Sequence, residues 1–432
     1  MSRISRRAFL RSSGTAATIG LLAGCTGGGG GTETATQTAT KTATPTEQMT
    51  TTSGGATTTT AGGGSSEPIV IGALEPISGP FAPWSTVHRD GLMFAVSQIN
   101  DNGGVLGGRD LKVEVADTGA DPSKADSAFR RLVEQNNAVA TTGSVSSDVG
   151  LRVAQTAADL KVPHFLQMAG SDQIITKSTQ YMFRVGLLPA VKYIQAQASA
   201  FADAGYTKIG AVVADYAWGH SCADAIKKGF SQDVQIVVAP VPPSTDFTPY
   251  VRKLSPDIEM LIASGHPPGT PGIANAAIDL GYSPDVITGS SAPPQLLFSA
   301  LKDAVIPKFV HIHNSDPYEQ AFTDVGGAFD KSGQHNTEFN THTAYGYVTG
   351  QLIAAGIEKA GSADPTAIAN AVRANKVDTL FANPVQYNQY GELDQTIVFF
   401  SRLKKEAPPF DSSGQYWYEK LHQSDPIPAR VP

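Results

Sequence analysis

From Glu67 onward the chain alternates short apolar runs with amphipathic stretches, and this rhythm limits the fold more than any other feature of its 432 residues. Ile69-Val70-Ile71-Gly72-Ala73-Leu74 is a strand-length run, closed by Pro76 and Gly79. Gly91, Leu92, Phe94, Ala95, Val96 and Ile99 then recur near a 3.6-residue spacing, which predicts a helix. Leu111, Val113 and Val115 alternate with polar neighbours, as in a strand. Further strands are predicted at Val139–Thr142, Val162–Leu166, Ile209–Val213, Val234–Val238, Met260–Ala263, Val286–Thr288 and Phe309–Ile312. Helices are predicted at Ser123–Glu134, Asp148–Leu160, Ala190–Ala204 and Ser221–Phe230. Such βαβ units build parallel sheets with helices on both faces. Two rounds, parted near Pro189, predict an α/β protein of two doubly wound parallel-sheet lobes. Ligands of these sheets bind outside the carboxyl ends of the strands, so the loops after the strands are the place to look.

The first 66 residues follow no such rhythm. Residues 1–24 hold Arg3, Arg6, Arg7 and Arg11 and no acid, followed by a short apolar stretch from Ala16 to Gly24. That is the layout of an export signal. Ser5-Arg6-Arg7-Ala8-Phe9-Leu10 resembles a twin-arginine signal, and Leu22-Ala23-Gly24-Cys25 resembles a lipobox, in which Cys25 would carry the lipid. Residues 25–66 would then be the lipidated Cys and a stalk of Thr, Gly, Ala and Ser, too poor in apolar groups to offset its ordering entropy. The expected location is the outer face of the cell membrane, through that anchor, in the manner of archaeal surface lipoproteins.

Composition excludes several functions. The formal charge is −7, and without the four signal arginines 28 basic residues face 39 acidic ones, a charge of −11 that argues against nucleic acid as a partner. Two cysteines exclude a disulfide framework, and Cys222 reads as a small buried residue. No Gly-x-Gly-x-x-Gly, Gly-x4-Gly-Lys-Ser/Thr or Gly-x-Ser-x-Gly sequence is present, and no cofactor is expected. His311 and His313 lie two apart on one strand face, a spacing open to metal, but they read as ordinary strand-end residues. Binding therefore fits better than catalysis.

Three loops follow first-round strands on one sheet edge. Thr141 to Asp148 carries Val145, Ser146 and Ser147, with Ser147 or Asp148 as the helix N-cap; its N–H groups and hydroxyls suit a carboxylate. Gln167 to Asp172 carries Ala169, Gly170 and Ser171. Glu75 to Trp84 ends on Trp84, a loop aromatic suited to stacking on an organic group.

Ile77-Ser78-Gly79-Pro80-Phe81-Ala82 resembles the opening of the solute-binding proteins of branched-chain amino acid ABC transporters, the Leu/Ile/Val-binding family of periplasmic binding protein type I fold. Ile99 to Arg109, with its Asn and Gly-Gly pattern, resembles the same family, as do Asp117 with Asp121-Pro122, Asn383-Pro384 and Tyr390-Gly391-Glu392. The resemblance covers most of residues 67–400. It implies lobes of 67–187 plus 316–384 and 188–315 plus 385–432, with crossovers near Gly186–Pro189, Asn314–Pro317 and Asn383–Gln386. It implies that Val145–Ser147 and Ala169–Ser171 hold a ligand carboxylate and help hold its amine, and that Tyr216 and Trp218 are aromatics of the second lobe. His266 stands where the family has an aromatic. The acid that pairs the ligand ammonium would fall at Gly289-Ser290-Ser291-Ala292, where Ser291 and its neighbours carry no carboxylate. Either another acid such as Asp316 reaches in, or the ligand is not a free α-amino acid.

The expected function is that of a monomeric lipoprotein that delivers a small polar organic solute, whether amino acid, amide, urea-like molecule or organic acid, to a permease and ATPase. The second reading is a ligand sensor that signals through a separate membrane protein.

Overall fold

A computed structural model describes residues 4, 6, 67–241, 246–265 and 269–432. The signal and stalk, apart from residues 4 and 6, lie outside the described residues, as do Cys25 and His266. Ile4 donates its N–H to Ala200 O, and Arg6 pairs with Glu259 and Asp285 at 2.8 and 2.6 Å.

The first sheet is built from β1 (Ile69–Glu75), β2 (Leu111–Asp117), β3 (Ala138–Gly143), β4 (His164–Leu166) and β5 (Met182–Arg184). All pairings are parallel, in the order β2-β1-β3-β4-β5. Its two faces bury separate clusters. Ile69, Ile71 and Ala73 pack with Leu92, Val348 and Ile353 on one side; Leu74 packs with Phe129 and Val153 on the other. A strand covered on both faces is apolar throughout, which is why β1 reads as a continuous run rather than an alternating one.

The second sheet holds β6 (Ile209–Ala214), β7 (Val234–Ala239), β8 (Met260–Ser264) and β9 (Val286–Gly289), parallel in the order β7-β6-β8-β9. Ile287 bridges Phe309, which leads to β10 (His311–His313). After the two-residue β11 (Gln395–Thr396), β12 (Phe399–Lys404) and β13 (Trp417–Gln423) pair antiparallel and add to β10, and β14 (Ile427–Pro428) pairs with β11. β5 and this antiparallel hairpin were not predicted.

Helices fill the predicted gaps with shifted ends. The first runs from Ala82 to Asp101, so Trp84 sits in a helical first turn rather than in a loop: Pro83 within that first turn suits helix entry. The next runs Pro122–Glu134, with the Asp121 carboxylate accepting from the N–H groups of Ser123 and Lys124. The third runs Ser147–Leu160 with Ser146 as its N-cap, not Ser147 or Asp148. Ser147 is drawn into the first turn because its Oγ accepts from Ser171 N at 3.1 Å. In the second lobe the Ala217–Gly229 helix begins four residues earlier than predicted, placing Trp218 in its first turn. The Thr343–Ala360 helix returns to the first lobe and lies against Ala82–Asp101 through glycines: a Cβ at Gly91 would sit 2.0 Å from Thr343 O, and one at Gly346 would sit 1.8 Å from His88 O.

The strands cross between lobes side by side. Asn314 Nδ2 donates to Val185 O at 3.3 Å, and Asp316 N donates to Leu380 O at 2.8 Å. The last crossing differs from the expected 383–386. Val385, Tyr387 and Leu393 stay in the first-lobe core, and Val398 is already in the second, so the chain changes lobes between Leu393 and Val398. The pairing of Val377 with Val385, and Gly391 seated on Met182 O, hold this stretch back.

Candidate ligand-binding cleft

In each sheet the chain leaves a central strand toward one side and returns on the other. In the first sheet this reversal falls between β1 and β3; in the second it falls between β6 and β8. Loops that follow such strands diverge and leave a crevice. The two crevices face each other across a narrow pocket, in which the cavity volume is about 30 Å³.

The first lobe lines it with Phe81 and Trp84 after β1, Val145 and Ser147 after β3, and Met168 after β4, with Leu187 at the crossover. The second lobe adds Tyr216 and Trp218 after β6, Gly265, Thr270 and Pro271 after β8, and Ser290 and Ser291 after β9. Among the described lining residues none carries a charge.

The hydroxyls of this lining are already engaged. The Trp218 indole N–H is shared between Ser264 Oγ at 3.1 Å and Ser290 Oγ at 2.8 Å. Ser291 Oγ bonds His342 Nε2 at 3.0 Å, while its carbonyl accepts from Trp84 Nε1 at 3.3 Å. Thr270 Oγ1 donates to Ala263 O at 3.0 Å. His342 stacks on His88, with ring centroids 5.6 Å apart, and burial together with its histidine neighbours holds its pKa well below the usual value.

The predicted site residues divide into wall and support. Trp84, Val145, Ser147, Tyr216, Trp218 and Ser291 line the pocket. Ser146, Ala169, Gly170 and Ser171 are buried beside it, and their bonds run to the protein. Ala169 O accepts from Arg184 Nη1 at 2.8 Å, and that guanidinium is paired with Glu392. Ser171 Oγ meets Ser221 Oγ across the lobes at 2.9 Å. Gly170 makes room for Trp218: a Cβ there would lie 2.3 Å from the indole. Asp316 does not line the pocket; its carboxylate accepts from Tyr318 N at 3.1 Å. His311 and His313 are buried on β10, bonded to Thr341 and to Ser315 and Ser401, and no metal-ligating cluster occurs among the described residues. Cys222 is buried, with its thiol pKa pushed up by burial.

Phe81, Met168, Leu187, Gly265, Thr270, Pro271 and Ser290 were missed as lining residues. Phe81 and Met168 lie within loops already singled out, so position after a strand was the available signal. Thr270 and Pro271 come from a helix start that no local pattern marks as a pocket wall.

A family model described as periplasmic binding protein matches residues 68–407. The Leu/Ile/Val-binding protein BraC3 of Rhizobium johnstonii is 27% identical over 353 residues, 78% of this chain and 92% of that protein. The leucine-, isoleucine-, valine-, threonine- and alanine-binding protein of Pseudomonas aeruginosa is 28% identical, over 75% of this chain and 87% of that one. Among solved structures, a solute-binding protein of an R. palustris ABC transporter in complex with benzoate superposes with a TM-score of 0.70 at 19% identity, covering 84% of this chain and 98% of its own. LivJ of Streptococcus pneumoniae in complex with isoleucine gives 0.68 at 18%, covering 82% and 99%. These relatives are solute-binding proteins rather than enzymes. With its two switch-point crevices facing one pocket and a family match spanning most of its length, the chain belongs to the periplasmic binding protein family, in the type I fold.

Proposed function

We propose that the protein is the extracytoplasmic binding component of an ABC importer, tethered through lipid on Cys25. A small organic solute enters the interlobe pocket, and its contacts with both lobes favour the closed form. The permease and ATPase would then receive the closed, loaded protein. The observation that carries this reading is the convergence of both switch points on one uncharged, aromatic pocket. Trp84, Val145, Ser147, Tyr216, Trp218 and Ser291 would contact the solute, with Ser146, Ala169, Gly170 and Ser171 holding the walls in place. His266, beside Gly265 in sequence, is proposed as a further contact.

Isothermal titration against a broad solute panel, after removal of co-purified ligand, tests the reading. A micromolar-range binder that also reduces the radius of gyration is the expected result. The absence of any binder, or binding with no closure, would sink it. Lipid attachment is read separately: Cys25→Ala should release the protein from membranes, and retention of the variant would refute the anchor.

A further inference from the structure

We infer that the solute is a compact, largely apolar molecule with no ammonium group; this rests on the solute-binding reading above. A buried ammonium needs acceptors, because its desolvation is otherwise uncompensated. Along the described wall none is a carboxylate, and the polar side chains of Trp84, Trp218, Ser290 and Ser291 are bonded to the protein itself. Ser291 Oγ is bonded to His342, and its carbonyl is bonded to the Trp84 indole. The Ala169 carbonyl beside the pocket accepts from the Arg184 guanidinium at 2.8 Å, so a second cation there would meet a like charge. Ser290 Oγ is held by Trp218 and Ser264.

Two acids nearby are turned to other tasks. Asp148 caps the facing helix through Ala217 N at 3.2 Å, and Asp172 accepts from Val191 N at 3.1 Å. Glu75 lies fully buried at the end of β1, outside the lining. Its carboxyl pKa is pushed up to about 8 by burial, which keeps it protonated at neutral pH. The internal segments outside the described residues, 242–245 and 266–268, contain no acid in their sequence. What the pocket presents instead is ring and methyl surface: Phe81, Trp84, Val145, Met168, Leu187 and Trp218. Such a lining favours a branched or flat carbon body.

The test compares molecules that differ only by the ammonium. Full-length protein, freed of co-purified solute, is titrated with 4-methylpentanoate against L-leucine, 3-phenylpropanoate against L-phenylalanine, and 4-methylpentanamide against L-leucinamide. In every pair that binds, the member without the ammonium should bind at least tenfold more tightly. Ser291→Asp, checked for an unchanged melting curve, should narrow that gap at least tenfold by supplying a carboxylate at the wall. Equal or tighter binding of the amino compounds overturns the inference and leaves the solute-binding reading standing. Silence from all three pairs also overturns it, and the broad panel then decides the wider reading on its own. An unchanged gap in the Ser291→Asp protein overturns it as well, because the ammonium would then be rejected elsewhere.

Discussion

Gly170 is the residue on which the two lobes fit. Its missing side chain is the space that the Trp218 indole occupies. Gly170→Ala should therefore lower affinity more than tenfold while leaving thermal stability close to that of the parent, and titration beside a melting curve separates the two effects. Trp218→Ala removes the ring itself and should weaken binding by about 1–3 kcal/mol; unchanged affinity would make the indole a packing residue. Titration of buried groups sets a further expectation. Burial depresses His88, His164 and His313 to about 3, and holds His311 and His342 well below the usual value. These rings stay neutral when folded, whereas the unfolded chain takes up their protons below about pH 6.5. Stability should thus fall as pH drops below 6.5, each ring contributing up to about 1.4 kcal/mol per pH unit. Glu75 acts in the opposite sense. Its folded pKa of about 8 lies above the unfolded value, so its contribution is full in acid and is lost as pH rises toward 8. Melting temperature against pH should show a steep acid limb, and Glu75→Gln should flatten the alkaline one. An acid limb no steeper than one proton would refute the buried neutral histidines.

At the scale of elements, stability should respond where backbones approach most closely. Gly346→Ala pushes a methyl group into His88 O and should cost about 1–3 kcal/mol by forcing the Ala82–Asp101 and Thr343–Ala360 helices apart. Arg184 and Glu392, each 1% exposed, tie β5 to the turn before the last crossing. Arg184→Met leaves the buried carboxylate only the longer contact with Arg430, at 3.9 Å, and should cost about 3 kcal/mol, whereas the double variant with Glu392→Leu should recover much of the loss. Melting temperatures of the three proteins check both statements. The central strands were legible because burial on both faces makes them unbroken apolar runs, as at Ile69–Glu75 and Ile209–Ala214. β5 was not, since it is three residues long and ends in Arg184, whose charge is matched only by a residue far along the chain. β12 and β13 carry Arg402, Lys404, Glu419 and Lys420, so their polar positions masked the hairpin. Trp84 and Trp218 were legible as site candidates by their place after strands. The bonds from Ser291 to His342 and from Asp148 to Ala217 were not, because no local pattern links residues 51 and 69 positions apart.

Across the whole molecule, closure is written in bonds between the lobes. Asp148, exposed at the start of one helix, caps the first turn of another on the opposite lobe. Ser171 meets Ser221 there, and Trp84 and His342 both reach Ser291. These bonds exist only with the lobes together, so removing one should shift the open–closed balance without unfolding either lobe. Asp148→Ala should weaken solute binding by about 1 kcal/mol, the scale of a lost helix cap, with little change in melting temperature. Scattering before and after saturation with solute would show a more open unliganded ensemble; an unchanged ensemble together with unchanged affinity would refute the bridging role.

Ser291, bonded to Trp84 and His342, and Trp218, whose ring sits against Gly170, are each at once a wall of the pocket and a joint between lobes. Recognition and hinge position therefore share the same atoms. A fluorescent reporter built on this scaffold could not be retuned to a new analyte at these positions without also moving its resting signal. A designer would begin at Val145, Met168 or Thr270, which shape the cavity and have no hydrogen bond to the opposite lobe among the described contacts.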